Sequence, residues 1–233
     1  HRDLHSFPTR RSSDLTLAAG SYASGSVQVR QTDLAGNIST STSNAAGITV
    51  DASVPAAPVI TGISPDTGVS ASDAITNAGT GTLSGTAEAN STVHISINGT
   101  PTFTTTTNGA GAWSVNYSGL TNGSYTGVAT ATDAAGNVSA PSAAATMIVD
   151  MTATAPSLAL AVDTGASAVD GITSNGQVNV SGLEAGATWQ YSTNSGGTWA
   201  DGTGSSFTLS AGSYASGSVQ VRQTDLAGNT SPA

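Results

Sequence analysis

The sequence contains no cysteine and no lysine. Without thiols it has no disulfide, no thiolate nucleophile and no Cys-ligated zinc, so an extracellular fold would rest on its core, on repetition or on bound metal. Three of its Arg (Arg2, Arg10 and Arg11) lie near the start, which leaves Arg30 and Arg222 for everything after residue 15. With a formal net charge of −9 the surface repels a phosphate backbone, which excludes a nucleic-acid partner. Acidic groups in such excess either stay solvated or converge on hard cations such as calcium. No apolar run reaches the roughly 18 residues that mark a membrane helix, and no basic segment leads into an apolar stretch as in a signal peptide. Any export signal is expected elsewhere. What remains is rich in Gly, Ala, Ser and Thr and only 8% charged, a composition that suits strands and turns better than helices.

Residues 1–15, HRDLHSFPTRRSSDL, depart from that composition, holding clustered Arg and two of the three His. They resemble the translation of an adapter used in short-read sequencing libraries, and are set aside as a non-native artefact.

An internal repeat organises the rest. TLAAGSYASGSVQVRQTDLAGN (Thr16 to Asn37) recurs as TLSAGSYASGSVQVRQTDLAGN (Thr208 to Asn229), the two differing only at Ala18 and Ser210. A looser copy, NGSYTGVATATDAAGN, ends at Asn137, so the Asp-x-Ala-Gly-Asn pattern begins at Asp33, Asp133 and Asp225, spacings of 100 and 92 residues. That period fits one immunoglobulin-sized sandwich. Thr49-Val50-Asp51 and Ile148-Val149-Asp150 each close an apolar run shortly before Pro55 and Pro156 and mark domain boundaries. The register predicts a C-terminal fragment of one repeat over 16–51, a complete repeat over 52–150, and a third over 151–233 without its last strand. Such a repeat should expose an open sheet edge, able to pair with another chain, and be less stable than the complete one.

Within the complete repeat, seven alternating runs between Gly, Asn and Ser clusters predict strands over 59–63, 82–87, 92–97, 102–107, 112–117, 124–132 and 145–149. Val93, Ile95 and Ile97 form the inward face of one, with Thr92, His94 and Ser96 opposite; Val219 and Val221 alternate likewise with Gln220 and Arg222. The expected fold class is all-β: tandem immunoglobulin-like β-sandwiches, one complete and two truncated.

The Asp-x-Ala-Gly-Asn turn, the Val-Asp to Pro linkers and the phrases SGTAEANSTV and DTGASAVDGITSNG together resemble bacterial Ig-like repeats of giant type I-secreted surface adhesins and biofilm-associated proteins, over residues 16–233. The resemblance implies a non-enzymatic, extracellular or cell-surface stalk of many sandwiches, with neighbouring repeats of the same chain as partners, no membrane insertion, and calcium at the junctions. Two positions depart from the pattern: Ala74 stands where Gly commonly follows the Asp, and Met151 where Thr is frequent.

Sandwich topology sorts the acids. Linker Asp51, B–C loop Glu88 and F–G loop Asp133 are expected at the entry end of the complete repeat, with Asp150, Glu184 and Asp225 as their equivalents at the next junction. A–B loop residues Asp66 and Asp73 should project toward that second junction, and Asp163 with Asp170 toward the far end of the third repeat. Calcium takes six to eight oxygens, which several carboxylates with carbonyls and waters supply; the alternative for any one Asp beside Gly is an Asx-turn.

Other chemistry finds little support. His94 falls on the wet face of a strand, and no nucleophile elbow, phosphate loop, HExxH or EF-hand pattern occurs. Trp189, Tyr191 and Trp199 would make a sugar-stacking platform if exposed, the mark of a carbohydrate-binding accessory module of a secreted enzyme; a buried core is the competing expectation. The near-identical repeat favours the spacer, since an array perpetuates duplicated units.

Overall fold

A computed structural model describes residues 15–233; the adapter-like residues 1–14 lie outside them. The described residues form strands and turns with no helix. They fall into two compact units: residues up to Val54 with Ala134–Asn137, and Pro55–Asp133 with Val138–Ala233.

In the first unit β1 (Gly20–Tyr22) pairs antiparallel with β4 (Ile48–Val50), and β2 (Gln28–Val29) with β3 (Thr42–Ser43). Two-stranded ribbons bury little, and no side chain over 15–54 is buried: Val29 and Ile38 are 63% and 60% exposed. Local order comes from the turn instead. The Asp33 carboxylate accepts hydrogen bonds from Ala35 N (2.9 Å), Asn37 N (2.8 Å) and Asn37 Nδ2 (2.9 Å), and Gly36 supplies the positive φ of 89°. These bonds, that from the Asn37 side chain foremost, hold the Asp33 carboxyl below the ordinary carboxylate value.

The second unit opens with the complete repeat. Its strands are β5 (Val59–Ser64), β6 (Ile75–Thr76), β7 (Gly81–Thr86), β8 (Thr92–Ile97), β9 (Thr100–Thr106), β10 (Ala112–Tyr117), β11 (Gly123–Thr132) and β12 (Ala145–Val149). They build a three-stranded sheet, β10-β7-β5, and a five-stranded sheet, β6-β12-β11-β8-β9. All seven expected runs are strands; the eighth, β6, is a two-residue segment that pairs parallel with β12. Alternation buries Val93, Ile95, Met147 and Val149 from one sheet against Leu83, Trp113 and Tyr117 from the other, while His94 stays exposed beside Thr104.

Tyr117 lies in this core with its hydroxyl buried and without a hydrogen-bond partner. Burial, then the Asp66 carboxylate, raises its pKa above the ordinary 10.0. A raised folded-state value favours the neutral phenol in the fold. Its stabilisation is complete below pH 10 and is lost as the pH climbs from there through the folded-state value. Tyr117→Phe removes this pH dependence together with an unpartnered buried hydroxyl: denaturant unfolding is expected to find the variant at least as stable at pH 7, and to lose less stability than wild type above pH 10.

The third repeat follows as β13 (Ser157–Leu160), β14 (Gln177–Ser181), β15 (Thr188–Ser192), β16 (Ala200–Asp201), β17 (Ser206–Thr208) and β18 (Gln220–Thr224), in sheets β13-β14-β17 and β16-β15-β18. Val178, Val180, Trp189, Phe207 and Val221 are its core. Tyr191 stacks on Phe207 at 4.2 Å between centroids.

Candidate metal centre

Three acidic residues meet where the complete repeat hands over to the third. Asp150 follows β12, Glu184 lies in the loop after β14, and Asp225 opens the turn after β18. One carboxylate oxygen from each lies within 4.8 Å of the others, and Asp225 is only 3% exposed.

The local sequence explains each position. Asp225 is tied into its turn by Asn229, whose backbone N donates to Oδ1 (2.8 Å) and whose Nδ2 donates to Oδ2 (2.7 Å). The same Nδ2 donates to Asp150 O at 2.7 Å, so the last residue of the Asp-x-Ala-Gly-Asn pattern fastens the turn to the linker. Glu184 Oε1 accepts from Thr154 N at 2.7 Å, which crosses from the loop to the linker. Asp150 Oδ1 accepts from Thr152 N (3.2 Å) and Asn122 Nδ2 (3.3 Å).

Behind these lies Gln223, fully buried. Its Oε1 accepts from Glu184 N (2.8 Å), and its Nε2 donates to Thr154 O (2.6 Å) and Gly182 O (3.2 Å). Sequence reasoning missed it. Strand alternation alone placed Gln223 on the same face as Val219 and Val221, and that polar residue in an apolar register was the available signal.

Three carboxylates held this close repel one another unless a cation joins them. The unit's one Arg, Arg222, is engaged elsewhere: Nε and Nη2 donate to Gln190 Oε1 at 3.0 and 2.7 Å, and the guanidinium lies 4.1 Å from the Trp199 ring centroid. The donors at the cluster are hard carboxylate oxygens, the set calcium prefers. The residues therefore fit that ion.

The remaining expected ligands have their own placements. Asp66 Oδ2 accepts from Ala74 N (3.0 Å), and Asp73 Oδ1 from Ile75 N (3.0 Å), bonds that shape the A–B loop. Asp163 and Asp170 do the same for Gly171 N (2.9 Å) and Ile172 N (3.0 Å). From the first A–B loop it is Thr67 to Val69 that reaches the third repeat: Thr67 Oγ1 donates to Ala227 O (2.9 Å) and Val69 N to Leu226 O (3.1 Å). Gly68 lies so close that a Cβ there would stand 2.0 Å from Leu226 O, and it has φ +93°. The junction is thus joined by backbone as well as by side chains. Asp51 caps Ser53 N (2.9 Å), its carbonyl accepts from Asn137 Nδ2 (3.1 Å), and Glu88 is exposed. Asp133 stands at the head of the Asp-x-Ala-Gly-Asn turn of the complete repeat.

Two facing sheets of immunoglobulin type, linked in tandem through an Asp-bearing junction, define a repeat module. Residues 54–152 match the model of the bacterial Ig-like domain family. No curated protein matches the chain. The chain is similar to a number of solved structures, three of which follow. One bears on host cell surface retention of a 1.5-MDa bacterial ice-binding adhesin (23% identity, TM-score 0.37, covering 87% of this chain and 69% of that one). Another is a tetra-tandem repeat in the extending region of a large adhesion protein (22% identity, TM-score 0.33, covering 88% and 53%). A third is the BSP domain of a biofilm-associated protein (21% identity, TM-score 0.27, covering 77% and 28%).

Proposed function

We propose that this chain is a length of stalk from a bacterial cell-surface or secreted adhesin, without chemistry of its own, and that calcium held by Asp150, Glu184 and Asp225 stiffens the junction between its repeats. The observation that carries the calcium reading is the convergence of three carboxylates, one of them buried, at a seam between sandwiches. The stalk reading is supported by the near-identical segments at Thr16 and Thr208. A bound ion would cancel the repulsion of the three acids and tie together the linker, the loop after β14 and the turn after β18. When free calcium exceeds the dissociation constant about tenfold, the fold gains roughly 1.4 kcal/mol.

Thermal unfolding in EDTA and in millimolar calcium tests this. Wild type is expected to melt higher in calcium. Asp150→Asn keeps an oxygen for Thr152 N but removes one charge, so it should melt at or above wild type in EDTA and below it in calcium. Curves that coincide for wild type with and without the ion would leave the acids as solubilising groups only.

The carbohydrate-module reading is disfavoured by burial. Trp189 is 5% exposed, and Trp199 has Arg222 across its ring.

A further inference from the structure

Thr67, Gly68 and Val69 follow Asp66 in the loop between β5 and β6. The Asp66 carboxylate accepts from Ala74 N (3.0 Å) and closes that loop, and Thr67 Oγ1 accepts from Asn77 N at 2.7 Å. The second bond occupies a lone pair of the hydroxyl and leaves its single hydrogen free to point out of the loop. That hydrogen is donated to Ala227 O of the third repeat at 2.9 Å. Two residues on, Val69 N donates to Leu226 O at 3.1 Å. Between the two bonds there is no room for a side chain: a Cβ on Gly68 would collide with the Leu226 carbonyl oxygen, and the backbone there has φ +93°. The facing residue is also a glycine. Gly228 has φ +90°, and a Cβ on it would stand 3.0 Å from Gly68 Cα. Backbones of two different repeats touch here because both residues are free to take a left-handed conformation without a side chain.

These contacts and the acidic cluster belong to one closed circuit. Leu226 and Ala227 lie inside the turn that Asp225 opens and the Asn229 side chain closes. Asn229 Nδ2 also donates to Asp150 O (2.7 Å), and Asp150 N donates to Thr76 O (2.9 Å). Thr76 precedes Asn77, whose N returns to Thr67. The circuit therefore crosses the junction twice, once at Thr67 and once at Asn229, and none of its links uses a cation.

We propose that residues 67–69 are a latch by which the complete repeat holds the third at a fixed angle without metal, and by which it positions the Asp225 turn for the ion. The effect on the ion rests on the calcium reading of the cluster; the grip on the third repeat does not. Thr67 is a positioning residue, since it bonds the backbone of the turn and none of the three carboxylates. A turn already latched has less freedom to lose when the carboxylates gather round a cation, and by linkage a bound ion tightens the latch in return.

The chain has no cysteine, so spin labels can be placed singly on exposed strand positions of the two repeats through Ser114→Cys and Asn179→Cys. Pulsed dipolar distance measurement on the full chain in EDTA is expected to give one narrow distribution. Thr67→Val keeps the shape and removes the hydroxyl, whereas Gly68→Ala keeps the hydroxyl and blocks the approach; each should broaden the distribution. Thr67→Ser should keep it narrow. All are compared where melting curves show the variant folded. A wild-type distribution already broad in EDTA overturns the latch, and so do Thr67→Val and Gly68→Ala distributions as narrow as wild type. Titration of the same proteins with calcium is expected to show affinity about tenfold lower for Thr67→Val and Gly68→Ala, and unchanged for Thr67→Ser. Equal affinities beside broadened distances overturn the positioning role. A wild type that binds no calcium refutes the calcium reading and the positioning role with it, while the distances in EDTA still decide the latch.

Discussion

Gln223→Ala is expected to destabilise the third repeat by about 2–4 kcal/mol in urea unfolding. The side chain is fully buried and serves three backbone groups, Glu184 N, Thr154 O and Gly182 O. Truncation leaves one donor and two acceptors without their partner, at about 1–3 kcal/mol for each that stays shielded from water. Ala131 holds the aligned position of the complete repeat and is itself fully buried, so the strand backbone accepts alanine there. The loss therefore reports the hydrogen bonds and not a disrupted strand. A second effect follows at the acidic cluster. Gln223 fixes the backbone of both Glu184 and Thr154, and Thr154 N in turn orients the Glu184 carboxylate. Outer partners of metal ligands typically contribute about 10–100-fold in affinity. Calcium titration of Gln223→Ala is expected to show a loss in that range, at a protein concentration and temperature where the variant is still folded.

Trp189→Ala should cost more, about 3–5 kcal/mol. Its indole packs against the stacked pair of Tyr191 and Phe207, with centroids 6.2 and 6.1 Å away, and its Nε1 donates to Gly204 O at 2.9 Å. The ring also lies flat against Gly202, where a Cβ would come within 2.2 Å of it. Trp199→Ala, by contrast, removes a partly exposed ring and its contact with Arg222, a change of about 0.5–1 kcal/mol. The pair separates two functional readings. A spacer loses its third repeat with Trp189 and almost nothing with Trp199; a sugar-stacking module would keep its fold in both cases and lose polysaccharide binding.

Much of the fold was legible because sheet periodicity is written locally. The runs around Val93, Ile95 and Ile97, and around Met147 and Val149, alternate because one face of each strand is buried, and that pattern survives in the linear sequence. β6 was not legible. Ile75-Thr76 has no alternation to detect, and it becomes a strand only because Ala74 O and Thr76 O face the edge of β12.

The acids divide in the same way. Topology alone predicts that linker, B–C and F–G residues share one end of a sandwich, and Asp150, Glu184 and Asp225 do meet there. It does not say what each carboxylate does on arrival. Asp66 and Asp73 were expected to project to the same junction, yet their carboxylates bond the backbone of their own loop while Thr67 and Val69 make the contact with Leu226 and Ala227. Local Asx bonds within a few residues need no long-range order, so they compete well against a distant partner.

The sequence by itself determined the all-β class, the repeat and its period, the inward face of the main strands, and that Asp150, Glu184 and Asp225 belong to one junction, without separating them from Asp66 and Asp73. These depend on short-range periodicity and on chain order. Only the tertiary structure decided that Gln223 is the buried hub behind Glu184 and that Gly68 abuts the following repeat. Each of these depends on which distant segment lies alongside, and a contact between distant segments leaves no pattern in the residues of either one alone.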